Sequence, residues 1–171
     1  HRDLHSFPTR RSSDLGRWKV CGSSVDAGDV NVPSPEAIMR NILYGNGYFR
    51  REFGVSNVDI FLPDCFGFGY ALPSIAAHCG LKGFSTQKLT WGSSVGIPFD
   101  IGVWEGVDGS EIVAALNPDP YVSSIRSDLS NDKRWIETVE KQGRETGLYV
   151  GYKYFGVGDV GGAPDDESVS W

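Results

Sequence analysis

The stretch that most constrains this chain runs from Val58 to Leu89. "VDIFLPD" holds a short apolar run, Ile60–Leu62, that suits a strand buried on both faces, and Pro63 stops it. "LPSIAAHCG" reads as a short helix, with Pro73 in its first turn and Gly80 past its end. "KGFSTQKL" is the next strand. A strand, a helix and a strand within about 30 residues predict a parallel βαβ unit and an α/β fold.

The flanking words agree with that class. In "VNVPSPEAIMRNILYGNGYFRREFG", Ser34 can cap a helix that Pro35 opens, and Glu36 suits its first turn. Ile38, Ile42, Phe49 and Phe53 fall near one face, Gly45 and Gly47 weaken the middle, and Gly54 ends it. "FDIGVWEGVDGSEIVAAL" predicts two strands joined at Asp108-Gly109. "SNDKRWIETVEKQGRETG" predicts an amphipathic helix with Trp135, Ile136 and Val139 inward. "LYVGYKYFGVGD" reads as a strand entering a Gly-rich loop, and "GAPDDESVSW" begins a last helix.

One segment fits none of this. "HRDLHSFPTRRSSDL" has no apolar period and lacks the apolar core of a secretory signal. Read back into codons, it resembles a sequencing-library adapter translated in frame. Residues 1–15 are therefore expected to be non-native and disordered, with residues 16–171 a partial domain cut at both ends. The whole chain has 16 Lys+Arg against 22 Asp+Glu. Without His1–Leu15 the balance is 13 to 20, a net charge of −7. That argues against binding a nucleic-acid backbone, which needs a basic surface. No apolar run approaches the ~18 residues of a membrane span. Cys21, Cys65 and Cys79 are odd in number and widely spaced, and read as neither a disulfide framework nor a zinc knuckle. The compartment stays open.

In parallel α/β folds, ligands sit beyond the carboxyl ends of the strands. Asp64 follows Ile60–Leu62, Gln87 and Lys88 follow Phe84–Thr86, and Asp159 follows the strand predicted around Tyr152–Phe155. Two carboxyls are the minimal equipment for glycoside hydrolysis. The plain structural readings stand beside this one. Asp64 can be a turn residue, Asp159 can stabilise a Gly turn, and His78 can sit at a helix end as a dipole partner. Cys65 reads as a packing thiol, Asp165, Asp166 and Glu167 as a solvated helical turn, and Trp91 and Trp104 as core.

The words "FLPDCFGFGYALPSIAAHCGLKGFSTQKLTW" resemble a core motif of the glycoside hydrolase family 38 α-mannosidases: Asp-x-Phe-Gly after a strand, a Leu-Pro-x-Ile helix, and a strand ending in Thr-Gln-Lys-Leu. "VNVPSPEAIMRNILYGNGYFRREFGV", "GVWEGVDGSEIVAALNP" and "YFGVGDVGGAP" are similar to the segments around it, so the resemblance covers nearly all of Gly16–Trp171. It implies a fragment of a seven-stranded parallel (β/α) barrel-like catalytic domain. It also implies a retaining, zinc-dependent enzyme that removes terminal α-linked mannose from a glycan. Asp64 would be both nucleophile and zinc ligand, and Asp159 the acid/base. Phe66 would line the sugar site, Lys88 would lie near the site carboxylates, and Trp91 and Tyr121 would line the pocket.

The same resemblance requires a His-x-Asp pair far upstream and a further His far downstream as zinc ligands. No His-x-Asp occurs between Gly16 and Trp171, and the one histidine there, His78, sits in the helix just after Asp64. Zinc normally takes three or four protein ligands, so the isolated fragment is expected to be inactive. The alternatives are another zinc-dependent carbohydrate hydrolase, such as a polysaccharide deacetylase, or a non-catalytic α/β binding domain.

Overall fold

The computed structural model describes residues 19–91, 95–116, 120–158 and 160–171. Residues 1–15, expected to be foreign to the fold, lie outside these, and so does Asp159.

The first helix, α1, spans Pro35–Phe53. Ser34 caps it by accepting from the Ala37 amide, and Gly54 closes it in the left-handed conformation. Gly45 does not break it. The Ser23–Val25 backbone crosses the helix there, and a β-carbon would sit 2.7 Å from the Ser24 carbonyl carbon. Asn41 holds this crossing, accepting from the Val25 amide and donating to the Asp26 carbonyl. Gly45 is thus a residue of close approach.

The predicted βαβ unit forms. Strand β1 is Asp59–Phe61, α2 is Leu72–His78 and β2 is Gly83–Ser85. The hairpin follows as β3, Ile101–Glu105, and β4, Glu111–Ala115. Asp108 fixes its turn by accepting from the Ser110 amide, and the Ser74 hydroxyl on α2 donates to the same carboxylate. The sheet order is β1-β2-β4-β3, with β1–β2 and β2–β4 parallel and β3–β4 antiparallel. The described residues therefore supply a four-stranded, mostly parallel sheet.

Alternation along the strands sorts its two faces. Ile60, Phe84 and Ala114 are in register and point into a core completed by Ile38 and Ile42 of α1 and Leu72, Ile75 and Ala76 of α2. Burying each large aliphatic or aromatic side chain contributes roughly 1.5–3 kcal/mol. Trp104 packs edge-on to Phe84 at 5.2 Å, as a core residue would. On the opposite face, Tyr154 meets Phe61 edge-on at 5.4 Å.

Helix α3 spans Lys133–Thr146, capped by Asp132. Its inward face keeps Trp135 and Val139 of the expected set but not Ile136. Trp135 and Val139 are half-buried and Gln142 and Gly143 buried, while Ile136 stays 37% exposed. Gln142 selects this face: its amide donates to the Ile101 carbonyl at the start of β3 and to Thr146 Oγ1. The strand expected at Leu148–Phe155 is also corrected, since only an isolated bridge forms, at Lys153. Side-chain packing occupies this segment instead, with Gly151 against the Trp135 ring and Tyr149 over Gly143. The last helix, α4, is Asp166–Ser170, capped by Asp165.

Candidate active site

The parallel register brings the carboxyl ends of β1 and β2 side by side. The Leu62 amide donates to the Ser85 carbonyl, and the Thr86 amide to that of Ala115. Beyond β1, Pro63 turns the chain and Asp64 emerges into solvent, its side chain 62% exposed. Beyond β2, the chain tightens into a single 3₁₀ turn, Lys88–Thr90. In such a turn, side chains three apart eclipse. Trp91 is therefore folded back over Lys88, whose ammonium lies 3.8 Å from the indole centroid.

That ammonium is the centre of the site. Its side chain is only 3% exposed, and it pairs with Asp64 Oδ1 at 2.8 Å. Besides Trp91, the rings of Tyr121 and Phe66 surround it at 4.9 and 5.3 Å. All three distances fall within the ~6 Å range of cation–π attraction. Phe66 and Trp91 meet edge-on at 6.4 Å. Lys88 Nζ also donates to the Tyr121 hydroxyl at 3.0 Å, and that hydroxyl donates to Asp64 Oδ1 at 3.3 Å. The hydrogen bond from Lys88 holds the Asp64 carboxyl below the usual carboxylate range, and the same bond raises the Lys88 ammonium above its ordinary value. Asp64 is thus an exposed, ionised carboxylate with a fixed counter-ion.

Of the residues expected at the site, Asp64, Phe66, Lys88, Trp91 and Tyr121 converge. Trp91, which also reads as core from sequence, is exposed instead. Gln87 is buried beside Lys88. Asp159 lies outside the described residues, but the chain leading to it is placed. The Gly156 amide donates to the Ser123 carbonyl at 2.8 Å, and the Ser123 hydroxyl donates to that of Tyr154. The glycines before Asp159 therefore allow close packing against the Tyr121 turn.

A second group of neighbours has no counterpart in the sequence reading. The Cys65 thiol donates to the Gly28 carbonyl at 3.1 Å. The Asn31 side chain lies against Gly67 and Gly69, so the segment around Asp29 braces the loop that carries Asp64 and Phe66. Asp29 itself accepts from the Asn31 and Val32 amides, and "GDVN" was the turn signal available for it. Burial, then the charges of Asp29 and Asp64, push the Cys65 thiol up, which fits a packing role.

Among the described residues, no group of three or more His, Cys, Asp or Glu is placed to hold a metal ion. Asp64 has an ammonium against it rather than further acidic or imidazole ligands. The described residues alone do not fit zinc.

Comparison with known proteins decides the family. Residues 9–169 match the model of the glycosyl hydrolases family 38 N-terminal domain. The chain belongs to glycosyl hydrolase family 38. It is 37% identical over 142 residues to alpha-mannosidase G of Dictyostelium discoideum, which covers 80% of this chain and 12% of that protein. It is 34% identical over 165 residues to alpha-mannosidase 2C1 of Mus musculus, covering 96% of the chain and 15% of that protein. The fold is shared with the crystal structure of an alpha-mannosidase from Enterococcus faecalis V583, at a TM-score of 0.61 and 16% identity, over 95% of this chain and 18% of that one. The chain thus spans less than a fifth of the length of these relatives.

Proposed function

We propose that the protein to which this chain belongs is a retaining α-mannosidase acting on terminal α-linked mannose of a glycan or oligosaccharide. The observation that carries this is the Asp64 carboxylate, exposed beyond β1, ionised, and flanked by Lys88, Phe66, Trp91 and Tyr121.

Asp64 attacks the anomeric carbon as the glycosidic bond breaks, and the leaving oxygen takes a proton from Asp159. Water then replaces Asp64 at that carbon, giving its proton back to Asp159. Phe66 and Trp91 offer the exposed ring surface that a sugar packs on. The four strands belong to a seven-stranded barrel of which residues 16–171 are a part. The enzyme is zinc-dependent; Asp64 is one metal ligand, and the others come from outside this chain. The 171-residue chain alone is inactive for that reason.

The test uses the whole protein and an aryl α-mannoside. Wild type releases α-mannose first, and Asp64→Asn lowers turnover by roughly 10³-fold or more. A slow fluorinated mannosyl donor labels the peptide containing Asp64. Release of β-mannose, or full activity in Asp64→Asn, overturns the reading. Activity of the 171-residue chain above its own Asp64→Asn control overturns the statement that it is inactive.

A further inference from the structure

We infer that Tyr121 is a positioning residue: together with Lys88 it grips one oxygen of Asp64, Oδ1, and so fixes the rotation of the carboxylate. This rests on the proposed mannosidase reading and deepens it.

A free carboxylate rotates and offers either oxygen. Here both donors take the same one, Lys88 Nζ at 2.8 Å and the Tyr121 hydroxyl at 3.3 Å. The two donors are also joined to each other, at 3.0 Å. Three groups thus form a closed triangle, and a closed triangle resists rotation better than a single ion pair does. The Trp91 face completes it by holding the ammonium from a third side.

Tyr121 is itself held by the chain that leads to Asp159. The Ser123 amide closes a turn around it onto the Pro120 carbonyl. Gly156 lies so close beneath that a β-carbon there would stand 2.8 Å from the Tyr121 carbonyl oxygen. Val122 likewise packs against Gly158. The residue that orients the nucleophile is therefore also the residue on which the approach to the acid/base rests. A shift of either segment reaches Asp64 through this one turn.

The experiment is kinetic, in the whole protein, with rates expressed per folded molecule. Tyr121→Phe removes the hydroxyl and keeps the ring. It should lower kcat about tenfold, the equivalent of one hydrogen bond, with KM within about twofold. The rate at which the fluorinated donor labels Asp64, read by mass spectrometry, should fall by the same factor. Gly156→Ala displaces the Tyr121 backbone and should give the same signature with the hydroxyl intact. Trp91→Leu should also lower the labelling rate, and Trp91→Phe should restore most of it. A rise in KM with kcat unchanged would make Tyr121 a sugar contact and overturn the inference, as would unchanged kcat and labelling in Tyr121→Phe. Loss of labelling at Asp64 in the wild type itself, by contrast, overturns the mannosidase reading.

Discussion

Two cations in this molecule carry the same formal chemistry in opposite surroundings. Lys88 is 3% exposed, enclosed by three rings, and paired with one carboxylate. Arg126 is 51% exposed and paired with Asp165 at 2.7 Å and Glu167 at 2.5 Å, both half-exposed. By count, Arg126 has the richer ion pairing. By environment, Lys88 has the stronger, because rings exclude water from one side of its pair. Exposed pairs are screened and contribute about 0–1 kcal/mol. The Arg126 pairs also revise the picture of a simply solvated first turn in α4: Asp165 both caps the helix and pairs, and Glu167 pairs, so two of the three acids have partners.

The comparison can be broken most directly at Lys88. Lys88→Ala should lower the stability of the chain by about 2 kcal/mol, through lost stem packing and lost cation–π contact. Urea denaturation measures it, and an effect no larger than that of Arg126→Ala would end the contrast.

Alkaline pH sharpens it next. The Lys88 ammonium is raised above its ordinary value, so its contribution is fully present below about pH 10 and disappears as pH rises through the higher folded value. Arginine stays charged there. The stability gap between wild type and Lys88→Ala should therefore narrow above pH 10, whereas the gap for Arg126→Ala should hold. In acid both weaken. Asp64 and Asp165 lie below the usual carboxylate range, so their contributions are present above about pH 4 and fade as pH falls through the lowered values. Asp108, lowered to about 2 by the Ser74 and Ser110 hydrogen bonds, should be the last of these to protonate, which carboxyl NMR shifts can follow.

Trp91→Leu should cost about 1 kcal/mol, the size of one good cation–π contact. Its midpoint shift should be absent in the Lys88→Ala background, and an equal shift there would show that Trp91 acts without Lys88. The smallest effect belongs to Arg126→Ala, a loss below that of Trp91→Leu that vanishes in 1 M salt, where screening reaches ~3 Å. A salt-independent loss would mean that the Arg126 pairs are shielded after all.

Much of the fold is legible residue by residue. Ser34, Pro35 and Glu36 announce α1, Gly54 ends it, and Asp108-Gly109 sits in the hairpin turn. The βαβ unit follows from an apolar run, a Pro-led helix and a second short run. Two readings failed for one shared reason. Ile136 looks inward and Leu148–Phe155 looks like a strand, yet Gln142 reaches the Ile101 carbonyl and Trp135 covers Gly151. Those contacts join segments distant in the chain, and no local pattern encodes them. That Asp64, Phe66, Lys88, Trp91 and Tyr121 belong together was legible, but their arrangement was not, and Asp159 lies outside the described residues.

The sequence by itself determined the caps, the turns, the parallel unit, and that Asp64 and Lys88 follow adjacent strands. These depend on neighbours a few residues apart, where backbone geometry leaves few choices. It also placed Trp91 three residues after Lys88, which the 3₁₀ turn converts into a stacked pair. Only the tertiary structure decided that Tyr121, 57 residues from Asp64 in the chain, donates to the oxygen that Lys88 already holds. Which oxygen of a carboxylate is taken depends on where donors arrive in space, and strand register together with the Gly156 approach sets that.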